Sequence, residues 1–253
     1  FAASQGCRRV LSVRLQGLML AYLVIVLMAD SPLAVVATEQ VQRERKCAGI
    51  DVSIRWQDGL NAVSAAELCG HLQRSLKKMS KCGLVLKRAL TVEVVDEVKH
   101  PCGLPVVGKF TAERFSVQVS SPDRCAQASN TEPGWEKIPQ EHIHASIVVH
   151  EVAHAIFWEN TKQRQLPAVA HEYFAYAFQI DSLPEHYREK FLEAYPRGAP
   201  IDLGPFNFTY LQMSPPGFAA NAYRHLASQN NRCAFIKRII SGAVQFPDWE
   251  EYE

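Results

Sequence analysis

Two histidines four residues apart, with a glutamate beside the first, are the side chains best suited to chemistry: His150-Glu151-Val152-Ala153-His154. In a helix this spacing puts both imidazoles on one face, one turn apart, close enough to ligate a single metal ion. Glu151 can lean over the remaining coordination position, where a bound water needs a base. Ile147, Val148, Val149, Val152, Ala153, Ala155, Ile156 and Phe157 surround the pattern, and no Gly or Pro interrupts it. That predicts a helix apolar on nearly every side and buried. Imidazole and carboxylate groups are costly to bury unpaired, and a divalent cation supplies the partner. A chance match to the five-residue pattern is the alternative, and the apolar helical setting argues against it.

A catalytic zinc takes three protein ligands and keeps one position open. The longer run H-E-x-x-H-x-x-G-x-x-H is excluded, because Phe157 and Asn160 stand where it needs Gly and His. Glu172 is the better third ligand. It follows His154 by eighteen residues, in an apolar stretch (168–180) that reads as a second helix, where a lone carboxylate is expensive.

The segment His171-Glu172-Tyr173-Phe174-Ala175 resembles the second motif of the gluzincin-type zinc metallopeptidases, written N-E-G-F-A in the aminopeptidase branch. Residues 217–226 resemble the helix that follows the active site in many of them, so the similarity spans about residues 139–242. It implies one Zn2+ held by His150, His154 and Glu172, with Glu151 as general base in peptide-bond hydrolysis. It also implies an α+β, zincin-like fold: a small twisted mixed sheet with an antiparallel edge strand packed on the metal helix, then a helical C-terminal part. The chain departs from the pattern in places. Tyr176 stands where thermolysin-like enzymes carry an acidic residue that holds a ligand histidine, and the G-x-M-E-N motif is missing. The tyrosine that steadies the transition state has no fixed counterpart, so Tyr210, Tyr223 and His225 compete for that role, with core packing the alternative for each. A zincin-fold protein that holds metal and binds peptide without turnover is the alternative function.

The elements needed to position these groups are legible. Residues 51–56 alternate at period two and read as a strand. Ser64-Ala65-Ala66-Glu67 is a capping box ahead of Leu68, Leu72, Leu76 and Met79 at helical spacing, ending near Gly83. Residues 90–98 read as a second strand, and 106–111 with 115–120 as a hairpin. In its second arm Phe115, Val117 and Val119 alternate with Ser116, Gln118 and Ser120, which suits an edge strand with one wet face, along which an extended peptide could pair. Residues 38–48 read as a polar lead-in and 121–138 as loop. Further helices are expected over 168–180, after Pro184, over 218–229 and over 233–241. His142 and His144 are expected near the surface at the helix start, and Glu159 as a solvated helix end. His171 reads either as a partner of a ligand or as a helix histidine satisfied by a carbonyl.

Composition sets the frame. The chain has 253 residues, 47% hydrophobic and 21% charged, with a formal net charge of +1, which offers nothing to attract nucleic acid. Arg8, Arg9 and Arg14 precede an apolar run (18–29) and then Ala34-Val35-Val36-Ala37, so residues 1–37 read as a secretory signal peptide cleaved after Ala37. An uncleaved anchor is the alternative, although the run is short for a bilayer. Residues 38–253 then form a single domain with 24 Lys and Arg against 25 Asp and Glu, and six cysteines. An even number in an exported, periplasmic or secreted chain points to disulfides, and Cys102–Cys125 is the expected local bridge because the pair flanks the hairpin.

Overall fold

The computed structural model describes residues 42–57, 65–100, 103–161, 166–195 and 202–247. The expected signal peptide, Ser64 of the capping box and Cys102 lie outside these residues. The architecture is α+β: a five-stranded mixed sheet followed by a mainly helical C-terminal part. In chain order the strands are β1 (Gln42–Lys46), β2 (Val52–Gln57), β3 (Leu90–Val95), β4 (Val98–Lys99), β5 (Pro105–Val106), β6 (Gly108–Thr111) and β7 (Ser116–Ser120). The helices are α1 (Ala65–Ser80), α2 (Pro122–Ser129), α3 (Gln140–Asn160), α4 (Ala168–Ser182), α5 (Glu185–Glu193), α6 (Phe208–Met213), α7 (Pro215–Ser228) and α8 (Arg232–Ile240).

The sheet runs β1-β2-β3-β7-β6, with β2, β3 and β7 parallel and both outer strands antiparallel. Period-two alternation explains its single apolar face. Val52 registers with Leu90, Ile54 with Val92, Val92 with Val117 and Val94 with Val119, and all of these are buried. The opposite face stays polar, where the registered pair Glu93 and Gln118 hydrogen bond at 3.1 Å. Helix α3 crosses the apolar side beneath β6 and β7, with α1, α2 and α4 against it.

Several expectations are corrected. Residues 42–46 are not a lead-in but strand β1, exposed throughout and paired with β2. Residues 122–129 are a helix rather than loop; Ser121 followed by Pro122 is a helix start in sequence terms, with Pro at the first helical position. The short helix α6, capped by the Asn207 side chain on the Tyr210 N–H, interrupts the Pro/Gly-rich passage. Strand β7 is not the edge: β3 and β6 pair with it on either side, and the edge beside α3 is β6. Alternation reports that one face of a strand is wet, which holds for an interior strand as well as for an outer one.

The bridge Cys102–Cys125 does not form. Cys125 is a buried free thiol whose Sγ donates to the Ser120 carbonyl at 3.4 Å. The disulfides are Cys47–Cys69 and Cys82–Cys233, the second closing a separation of 151 residues. Disulfides belong to an oxidising, extracytoplasmic compartment. Among the described residues no helix is long and apolar enough to cross a membrane.

Two side chains expected in solvent are not there. The Glu159 carboxylate accepts from the Lys87 backbone N–H at 2.7 Å and the Arg88 Nε at 3.0 Å, clamping the end of α3 to the segment before β3. His144 is fully buried and neither ring nitrogen has a hydrogen-bond partner. Burial lowers its pKa from 6.5 to about 4, with the Ser120 backbone opposing the shift in part. Between those two values the unfolded chain takes up a proton that the folded chain refuses, so stability falls as pH drops through the window. The full effect of such a shift is roughly 3 kcal/mol. His144→Phe is therefore expected to flatten the fall in stability between pH 6.5 and pH 4, read from urea melts at a series of pH values. Parallel pH profiles in the two proteins would contradict this account.

Candidate metal centre

Helices α3 and α4 lie side by side, and each contributes to one cluster. His150 and His154 project from the same face of α3, with Nε2 atoms 3.1 Å apart. Glu172, on the first turns of α4, brings Oε2 to 3.4 Å from His150 Nε2 and Oε1 to 3.6 Å from His154 Nε2. One ligand atom from each residue falls within 4.8 Å of the others, and among the described residues this is the group able to hold a metal ion. The structure brings together the three residues that the sequence reading grouped, because helical spacing aligns the histidines and α4 packs beside α3.

The donor set fits a divalent cation on three counts. The Gln179 Oε1 lies 2.9 Å from His150 Nδ1 and can only accept, so Nδ1 carries a proton and Nε2 is the nitrogen turned towards the cluster. Gln179 is itself held, its Nε2 donating to Ser146 Oγ at 3.4 Å and Ser146 Oγ donating to the Ile143 carbonyl at 2.7 Å. His154 stays neutral: burial pushes its pKa down to about 3, against the opposing Glu172 charge. Glu172 stays ionised: burial would raise its pKa, but His154 and His150 hold it at about 2. Burial disfavours the charged form of His150, but Glu172 and Glu151 together raise its pKa, so a divalent metal, which requires neutral imidazoles and an ionised carboxylate, would displace a proton from His150 on binding.

Gln179 is absent from the sequence expectation, and Tyr176 enters it only as a departure from the resembled pattern. Both lie on the Glu172 face of α4, Tyr176 four and Gln179 seven residues beyond it, which is the signal that could have found their part in the site. Gln179 takes the orienting role for which an acidic residue was sought at position 176. Tyr176 instead sets its ring 4.5 Å from His150, edge to face, within range of the Glu151 and Glu172 charges. Gln179→Leu is expected to weaken zinc affinity by about 10- to 100-fold while leaving the fold intact. A competition titration against a chelating dye reads this, and unchanged affinity would remove Gln179 from the site.

Glu151 is only 6% exposed and faces the edge strand rather than open solvent. Its carboxylate accepts the Phe110 backbone N–H, and a Cβ built on Gly108 would stand 2.6 Å from Oε1. Glycine at 108 is therefore a close-approach requirement. Burial raises the Glu151 pKa to about 7; the His150 charge opposes this and the Glu172 charge adds to it. A carboxyl poised there can accept a proton and release it again near neutral pH.

The three residues considered as oxyanion helpers have their described partners elsewhere. Tyr210 accepts from Asn221 Nδ2 at 2.8 Å and packs on Phe218. Tyr223 lies under the Arg188 guanidinium at 5.5 Å. His225 is buried, with Nδ1 2.7 Å from the Tyr173 hydroxyl and Phe206 and Phe235 around it. His171 lies along the ring of His154 at 6.4 Å and meets Phe157 edge-on at 4.7 Å.

The fold and the cluster together define an α+β protein with a His-x3-His…Glu group that could bind a metal ion. Residues 58–249 match a family of unknown function, DUF6639, and the chain belongs to that family. No curated protein and no solved structure matches it.

Proposed function

We propose that the chain is a zinc-dependent peptide-bond hydrolase of gluzincin type with a zincin-like fold, working in the periplasm or secreted space. The observation that carries this reading is the pairing of a three-ligand cluster with a fourth group, Glu151, that ligates nothing. A purely structural site has no use for a buried carboxylate that the Phe110 N–H holds beside the ligand group without being part of it.

His150, His154 and Glu172 would hold the ion. Zinc so bound supplies a Lewis acid that lowers the pKa of water towards neutrality and polarises a carbonyl. The side chains then divide the remaining work. Glu151 accepts the proton of the attacking water at its carboxylate and returns it to the leaving amine. The Phe110 N–H fixes that carboxylate against β6, and Gln179 keeps His150 in its ligating tautomer. Tyr176, whose hydroxyl is pushed further from ionisation by burial and by the two glutamates, keeps its proton and can donate to a developing oxyanion. This gives Tyr176 the role for which Tyr210, Tyr223 and His225 were considered. The peptide substrate would pair with β6 rather than with residues 115–120, since β6 has one side unpaired within the described sheet.

A metal-holding protein without turnover is the second reading, favoured by the partners of Tyr210, Tyr223 and His225, none of which belongs to the cluster. Metal analysis of the purified protein, with a chelator-sensitive cleavage assay on an unbiased peptide mixture, decides between them. Stoichiometric zinc with no cleavage supports the second reading and ends the first.

A further inference from the structure

An aromatic cluster adjoins the site and takes no part in the chemistry above. Phe110, whose N–H holds Glu151, sets its ring 5.7 Å from Phe115 and 6.4 Å from Trp158. Phe115 and Trp158 lie 6.2 Å apart. The helix brings Trp158 to the metal face: at about 100° per residue it lies roughly 80° around α3 from His150, between His154 at about 40° and Glu151 at about 100°. It is one turn beyond His154 along the axis, about 6 Å further on. Phe110 and Trp158 both keep part of their surface in solvent, whereas Phe115 is buried behind them.

Two features show a built wall rather than incidental packing. Phe115 has φ 46°, which among the described non-glycine residues is the sole positive value. Phe115 takes that conformation at the close of the β6–β7 hairpin turn, where its N–H donates to the Ala112 carbonyl at 3.2 Å, so the turn fixes where its ring stands. The Arg88 guanidinium stacks 3.8 Å over Phe115 and 5.1 Å from Trp158, and Glu159 pairs with it at 3.0 Å. The cation is thereby neutralised, so the wall offers aromatic surface and no net charge to a ligand.

We infer that Phe110 and Trp158 form a subsite beside the metal group that receives an aromatic or large aliphatic side chain of the peptide, and so sets cleavage preference. The inference rests on the hydrolase reading, because the occupant is a substrate lying along β6. An acidic side chain meets an Arg88 guanidinium already paired with Glu159, and a small one leaves the rings exposed to water.

Hydroxamates of single amino acids bind zinc directly and carry the side chain under test, so affinity can be read without turnover. Calorimetry on the zinc-loaded mature chain should give phenylalanine hydroxamate at least about tenfold tighter binding than glycine or glutamate hydroxamate. Trp158→Ala should bring the three affinities within about threefold of one another, while Trp158→Phe retains most of the preference. Circular dichroism confirms that each variant is folded. Equal binding of the three probes to the wild type, or a preference unchanged in both variants, overturns the subsite and leaves the hydrolase reading standing. Failure of every hydroxamate to bind protein shown to hold zinc overturns both.

Discussion

Glu151→Gln is expected to bind zinc as the wild type does and to lose peptide hydrolysis by about 10²- to 10⁴-fold, the usual contribution of a positioned general base. The amide matches the carboxylate in shape, so the Phe110 N–H keeps an acceptor, but it cannot take a proton from water. Zinc retention follows because His150, His154 and Glu172 form the ligand group without it. His154→Ala removes a ligand and should lose metal and activity together. Gly108→Ala provides an independent route to the same phenotype. The added Cβ would meet Oε1, Cγ and Cδ of Glu151 at 2.6, 2.7 and 2.8 Å, closer than real Cβ contacts occur, so the carboxylate or the strand must shift. A displaced base should leave zinc content unchanged and cut kcat more than KM. Metal content and steady-state kinetics measured on the same preparations test all three variants. A Glu151→Gln protein that cleaves at the wild-type rate would sink the mechanism.

Opening the Cys82–Cys233 bridge should have the largest effect on stability. The bond joins the end of α1 to the first turn of α8, across a separation of 151 residues, and so ties the last helix to the α/β half. Loop-closure entropy for so long a loop amounts to about 5 kcal/mol, and native bridges typically contribute 2–5 kcal/mol. For a chain of this size each kcal/mol corresponds to roughly 2–4 °C in Tm, so Cys82→Ala with Cys233→Ala should lower Tm by about 10 °C. Alanine at both positions avoids leaving either cysteine of the bridge as a free thiol. The shorter Cys47–Cys69 loop, with a separation of 22, should matter less when opened alone. Alkylation of the folded, unreduced protein checks the premise, since reactive thiols at residues 82 and 233 would contradict both the bridge and an oxidising compartment.

Glu151 and Cys125 also show how little a residue's type reveals of its environment. One is a carboxyl whose pKa burial lifts to about 7; the other is a thiol whose pKa burial lifts to about 12, with the Glu151 charge adding to the effect. Both sit where α3 meets the strands and α2. The first is held against the edge strand β6 by the Phe110 N–H. The second has no exposed surface and is chemically quiet.

The metal helix, the glutamate from the next helix and the alternation of the main strands were readable from local pattern alone. Each depends on interactions between residues close in sequence: helical spacing aligns His150 with His154, and period two separates Val117 and Val119 from Ser116 and Gln118. The edge position of β6, the Cys82–Cys233 pairing, the burial of His144 and the approach of Gly108 to Glu151 were not readable. These are long-range relations, fixed by which strand inserts between which and by how closely two elements pack. Gln179 lies between the two cases, since its helical face was legible but its partner, on another helix, was not. The sequence by itself determined which side chains could hold a cation. The tertiary structure decided how they are oriented and which backbone edge faces them, because orientation depends on packing between segments that local sequence does not encode.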